Sequence, residues 1–170
     1  MTLYINEHFL TLKDKAAVTD ENGTVRYLVH GDFAVAKKYY VDDANGTELA
    51  FVVQKKISST GTCIIKRNGK DIAEIVPKIT LLKPKYEVKG LGWTIEGNFN
   101  QDKYSIKQNG KTIANIQVRV LTKGNAYEID IGNGVDEVNV IAVAPVIEGV
   151  FETNVIGTTI NTAVQSSFLS

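Results

Sequence analysis

Apolar and polar residues alternate along most of this chain. In "TIANIQVRV", Ala114, Ile116, Val118 and Val120 share one face, while Ile113, Asn115, Gln117 and Arg119 share the other. The same period recurs in "KYEVKG" (Tyr86 and Val88 against Glu87 and Lys89), "WTIEG" (Trp93, Ile95), "KYSIKQ" (Tyr104, Ile106) and "YEIDIG" (Tyr127, Ile129, Ile131 against Glu128, Asp130). A period of two with one wet face predicts antiparallel strands, half buried and half solvated.

Between these segments stands a recurrent turn signal. Asn-Gly occurs at Asn22-Gly23, Asn45-Gly46, Asn68-Gly69, Asn109-Gly110 and Asn133-Gly134, the glycines lying 23, 23, 41 and 24 residues apart. Gly90 of "KGLGW" divides the long interval into 21 and 20. Asn-Gly between alternating segments predicts hairpins, because both residues tolerate the positive φ of a type I′ turn. Six evenly spaced turns imply about twelve strands. An open sheet that large rarely stays uncurled, and closure removes its edges, so the expected fold is an all-β, antiparallel, closed barrel built from hairpins. Side chains fill a barrel of roughly eight strands, so a wider one must be hollow or plugged.

One segment breaks the alternation. "DEVNVIAVAPVIEGVF", Asp136 to Phe151, is the most apolar stretch of the chain, and its unbroken run covers only Val140 to Ile147. A spanning helix needs roughly 20 apolar residues, so no transmembrane segment is expected here. Its β-branched content suits a strand. Its acidic start and lack of period-two polarity suit a helix, which would be about 24 Å long at ~1.5 Å per residue and, being apolar all round, would have to lie within protein. Pro145 should kink or break such a helix.

Composition narrows the function. The 170 residues, 44% apolar and 22% charged, fit one soluble globular domain with a substantial core. Nineteen basic residues balance nineteen acidic ones, so no global field draws nucleic acid or an anionic membrane, and an electrostatic partner must be met by a local patch. A single cysteine and an N-terminus lacking a signal-peptide pattern lead us to expect a cytoplasmic protein, if membrane-associated then peripherally.

The order "VTDENGTVRYLVHG", "YYVDDANGTELAFVVQKK", "KPKYEVKGLGWTIEGNF", "YSIKQNGKTIANIQ" and then the apolar C-terminal segment resembles the LURP-one-related proteins, of the superfamily of the tubby C-terminal domain and the phospholipid scramblases. The likeness runs from about Phe9 to Phe151, and Trp93 to Gly97 followed by Tyr104 to Ile106 is its most specific part. The resemblance implies a twelve-stranded barrel around a central hydrophobic helix. It gives a domain of residues 1–151, the helix near 136–151, and a tail of residues 152–170 that is expected to be partly disordered.

Catalytic material is sparse, so no catalytic residue, metal ligand or cofactor is assigned. His8 and His30 are 22 residues apart, outside metal-ligand spacing, and are expected to be ordinary surface or loop residues. Cys63 shares a strand face with Ile65 and is expected to be a small buried hydrophobe. Asp20-Glu21 and Asp42-Asp43 precede Asn-Gly turns, where Asp bonds nearby backbone, and the twelve-residue calcium pattern is absent. "GLGWTIEG" places Ile95 where the dinucleotide fingerprint needs glycine. Tyr86, Trp93, Tyr104 and Tyr127 have the inward parity of their strands, which favours core packing over base stacking; no nucleic-acid partner is expected.

Basic residues in pairs remain: Lys37-Lys38, Lys55-Lys56, Lys66-Arg67, and the group Lys78, Lys83 and Lys85. These residue types usually mark a solvated face. Lys37, Lys38, Lys55 and Lys56 flank the hairpin at Asn45-Gly46, and if they converge they would form a patch for anionic head groups, each lysine contributing about 1 kcal/mol. Three functions are expected in turn. The first is non-catalytic binding of anionic phospholipid or a membrane surface, which the tubby-like resemblance implies through phosphoinositide binding. The second is a structural or regulatory protein partner, and the third a ligand carrier or enzyme if the barrel interior is open.

Overall fold

The structure, a computed structural model, describes residues 1–6, 15–32, 37–55, 61–78, 80, 83–98, 103–121 and 124–147. Among them are twelve strands and one helix, α1 (Glu137–Ile147). The strands are β1 (Thr2–Asn6), β2 (Ala16–Asp20), β3 (Val25–Asp32), β4 (Lys38–Asp43), β5 (Glu48–Gln54), β6 (Cys63–Arg67), β7 (Lys70–Lys78), β8 (Lys85–Lys89), β9 (Trp93–Asn98), β10 (Lys103–Gln108), β11 (Lys111–Leu121) and β12 (Gly124–Ile131). Each pairs antiparallel with its neighbour in sequence, and β1 lies between β2 and β12, so the sheet closes. The seam runs from Thr2 opposite Asp130 to Asn6 opposite Ala126. The terminal ammonium donates to the Ile131 carbonyl at 2.9 Å, so the start of the chain is tied to the end of β12.

Five of the six turn signals make hairpins, and the four at Asn-Gly form by two different means. Asn68 and Asn109 both have φ of 50° before glycines in the left-handed region, as a type I′ turn demands. At Asn22-Gly23 and Asn45-Gly46 only the glycine has positive φ. There an aspartate organises the loop. Asp43 Oδ1 accepts from the amides of Asn45 (2.8 Å) and Thr47 (2.9 Å), and Asp20 does the same for Asn22 and Thr24. These four hairpins each carry a register shift next to the turn, which adds local twist as the wall curves.

The sixth signal departs from the expectation. Asn133-Gly134 joins β12 to α1 and makes no hairpin. Twelve strands still result, because β1 and β12 flank the five hairpins and pair with each other.

Inward parity holds round the barrel, with Leu3, Val18, Val52, Ile75, Ile95 and Ile129 fully buried. Trp93 and Tyr127 are buried, and Tyr86 and Tyr104 pack half-buried against the core. The lumen is filled by α1, in which every residue from Val138 to Ile147 is buried. Asp136 caps the helix, its Oδ1 accepting from the Asn139 amide at 3.0 Å, which stops the strand that β-branched propensity alone would favour. Pro145 stands inside α1, where its missing N–H removes one backbone hydrogen bond, that to the Ile141 carbonyl. Residues 148–151 of the expected helix and the tail 152–170 lie outside the described residues.

Candidate functional site

With α1 in the lumen, chemistry is left to the barrel's ends and its outer wall. Cys63, fully buried on β6, has its thiol pushed up to about 12 by burial, so it is not a thiolate near neutral pH. A groove of about 250 Å³ lies at one end, lined by Met1, Ile113, Asp130 and Gly132, below the size of a typical small-molecule site. Among the described residues no cluster of three or more His, Cys, Asp or Glu could hold a metal ion.

The outer wall is a mosaic of cross-strand ion pairs. Lys55 meets Glu74 at 3.0 Å, Lys78 meets Glu87 at 2.5 Å, and Glu96 is shared by Lys107 at 2.7 Å and Lys85 at 3.4 Å. Lys66 pairs with Asp71, and Arg119 grips Glu128 through two hydrogen bonds. The hydrogen bond from Lys107 holds the Glu96 carboxyl below its ordinary value, and Lys78 does so for Glu87. Exposed pairs of this kind contribute little stability each. They cancel charge pair by pair, while Lys70, Lys89, Lys103 and Lys111 add positive charge along the same strands.

The wall of β3, β4 and β5 is different. Tyr39, Val41, Ala50 and Val52 point inward, so Lys38, Tyr40 and Phe51 point out. The Lys38 ammonium lies 5.5 Å from the centre of the Phe51 ring. That is a cation–π contact, so this lysine rests on an aromatic face rather than on a carboxylate. Tyr40 lies between Phe51 (5.7 Å between ring centres) and the imidazole of His30, which stacks on it at 4.8 Å.

His30 Nε2 is 3.2 Å from Asp42 Oδ2, and the same oxygen accepts from Lys15 Nζ at 2.7 Å. The Asp42 side chain is only 4% exposed. A buried carboxylate needs such partners, since an unpaired one would carry a large desolvation cost. Asp42 therefore does not organise the turn as its position beside Asp43 suggests; Asp43 alone does. His30, expected to be an ordinary surface or loop residue, is half-buried in a polar cluster, and His8 lies outside the described residues.

At the barrel mouth a second polar group anchors α1. Tyr27 on β3 donates to Glu137 at 2.6 Å, while Arg67 on β6 pairs with Asp136 at 2.7 Å. Burial and the bond to Glu137 raise the Tyr27 hydroxyl to about 12. The helix packs most closely against β4, β5 and β6, so it backs the same wall that carries the His30 and Lys38 clusters.

The family model for LURP-one-related proteins matches residues 1–148. The chain belongs to the LURP-one-related family. Within it, this chain is similar to "Uncharacterized protein YxjI" of Bacillus subtilis (strain 168), at 25% identity over 147 residues, which covers 86% of this chain and 91% of that protein. No solved structure matches. No helix among the described residues is long and apolar enough to cross a membrane.

This LURP-one-related barrel scatters the lysines singled out from the sequence among different surroundings. Lys38 lies opposite Val53, two residues before Lys55, so Lys37, Lys38 and Lys55 sit at the same end of the β4–β5 hairpin. Lys55 is engaged by Glu74, and Lys56 lies outside the described residues. Lys66, Arg67, Lys78 and Lys85 are all in ion pairs. Sequence reasoning passed over the grouping of His30, Asp42, Tyr40 and Phe51. The outward parity of Tyr40 and Phe51 was the available signal.

Proposed function

We propose that this LURP-one-related barrel is a non-catalytic module that binds anionic phospholipid head groups at a membrane surface, through Lys37, Lys38, Lys55 and Lys56. The observation that carries the reading is Lys38, whose ammonium rests on the Phe51 ring at the end of the β4–β5 hairpin that also holds Lys37 and Lys55. The filled lumen supports the same reading, because it leaves the outer surface as the place to bind. The likeness to tubby-like domains points the same way. A peripheral, cytoplasmic location goes with it.

Lipid translocation is not part of the proposal. Drawing α1 out of the barrel would expose the whole interior to water, and its apolar run is short for a bilayer. Reconstituted vesicles should therefore show no lipid movement between leaflets.

The test is flotation of the protein with anionic vesicles across a salt series. Binding should weaken as salt rises, because screening acts over ~8 Å at physiological ionic strength. It should fall further when Lys37, Lys38, Lys55 and Lys56 are changed together to glutamine. Absence of flotation even at low salt would overturn the reading in favour of a protein partner.

A further inference from the structure

Because neighbouring strands are antiparallel, their ends fall alternately at the two mouths of the barrel. The Asn-Gly turns and the start of α1 occupy one mouth. Its charges are matched: Asp20, Asp43, Asp71 and Asp130 stand near the turns and Asp136 and Glu137 open the helix, against a similar set of basic groups such as Lys70, Lys89 and Lys111. The opposite mouth is basic. Lys37 and Lys38 stand where β4 begins, Lys55 where β5 ends, Lys78 where β7 ends, Lys85 where β8 begins, Lys103 where β10 begins and Arg119 near the end of β11. Among the described residues, the carboxylates within two positions of the strand ends at this mouth are Asp32, Glu87 and Glu96. Glu74 and Glu128 reach Lys55 and Arg119 from further along the wall, and basic groups still exceed acidic ones. The segments joining these strand ends are balanced in sequence, Lys13, Lys56 and Lys123 against Glu7, Asp14 and Asp102, so the excess stands.

The shape of that excess selects its partner. From β4 to β11 the basic arc crosses successive strand spacings of ~4.8 Å, about 34 Å along the wall. Screening acts over ~8 Å at physiological ionic strength, so a small anion at any point of the arc feels only the nearest of these groups. An extended anionic plane set across the mouth meets the whole arc at once. A rod such as duplex nucleic acid would touch only a chord of it.

We propose that the barrel stands end-on at an anionic bilayer, with this mouth as the contacting face and the lysines of β7, β8 and β10 meeting head groups together with those of the β4–β5 hairpin. This rests on the anionic-bilayer reading above and adds the orientation of the barrel and the far side of its footprint.

The experiment measures partition of the full chain onto phosphatidylcholine vesicles containing a minority of phosphatidylserine, at constant pH and low salt. Each lysine near such a surface is worth about fivefold in binding. Lys78→Gln, Lys85→Gln and Lys103→Gln together should weaken binding by about tenfold or more, the ion pairs with Glu87 and Glu96 having already drawn off part of the first two charges. Lys70→Gln, Lys89→Gln and Lys111→Gln together remove the same charge at the other mouth and should change binding by less than about twofold. If the first triple variant does not melt as a cooperative fold, Lys103→Glu read against Lys111→Glu decides between the two mouths in the same way. Failure of wild type to bind vesicles, whether or not it binds duplex DNA, sinks the bilayer reading and this inference together. Binding that depends on Lys37, Lys38, Lys55 and Lys56 but falls equally in the two triple variants, or in neither, overturns this inference alone.

Discussion

Consider Ile141, fully buried near the middle of α1. Changing it to alanine removes about three methylene equivalents, worth ~2.4 kcal/mol in transfer alone at ~0.8 kcal/mol each. The cavity adds to this. A wall fixed by ladder hydrogen bonds on every strand cannot collapse inward to fill it. The expected loss is about 3–4 kcal/mol, a large share of a domain stability of roughly 5–15 kcal/mol. Urea denaturation followed by the fluorescence of Trp93, the single tryptophan and itself buried, reads it directly. With m of about 2 kcal/mol/M, the midpoint should fall by about 1.5–2 M with the slope unchanged. Val25→Ala, at a residue 40% exposed, is the control and should move stability by less than ~0.5 kcal/mol. Equal effects at the two positions would refute the packing of this helix inside the barrel.

Three further outcomes are expected. Gly90→Ala should destabilise more than Gly110→Ala in the same urea assay: both glycines have positive φ, costing roughly 1–2 kcal/mol for alanine, but only at Gly90 would the new methyl collide with the Ile72 carbonyl. Equal losses would contradict this. Cys63 should react with a disulfide reagent only as fast as the protein opens, and rapidly in urea; prompt reaction of the folded protein near neutral pH would contradict its burial. Stability against pH should fall at both extremes. The carboxyls of Asp43, held low chiefly by the Thr47 amide, and of Glu87 and Glu96, held low by lysines, bind protons less readily folded than unfolded, so their contribution is present above about pH 4 and lost below it. Tyr27 has the opposite sign: its raised value makes its contribution present below about pH 10 and lost as the pH climbs toward 12. A flat acid limb in thermal melts would remove the carboxyl argument.

Much of the architecture was legible because it depends on local rules. The five hairpin signals mark five real hairpins, and parity placed Trp93, Ile95, Ile129 and their neighbours inside. The last Asn-Gly misled because a dipeptide reports a reversal of the chain and not the type of element beyond it; Asp136, three residues after Asn133, decided for a helix by capping it. Propensity pointed to a strand at Val138–Ile147, and tertiary burial overrode it. The outer wall was less legible. Which lysine meets which carboxylate depends on register across strands, so Lys55 could be chosen from the sequence without its partner Glu74 being visible. Asp42 likewise gains Lys15 and His30 only after β2, β3 and β4 are laid side by side.

The central claim is that α1 fills the barrel, and hydrogen exchange of its amides tests it most directly. An isolated helix of eleven residues would fray and exchange within seconds in water. Enclosed by twelve strands, the amides of Val138 to Val146, Pro145 having none, should open only with the whole fold and give a protection free energy equal to that from urea unfolding. Exchange of that segment far below the global value, while the strand amides stay protected, would mean that the helix is not held in the lumen.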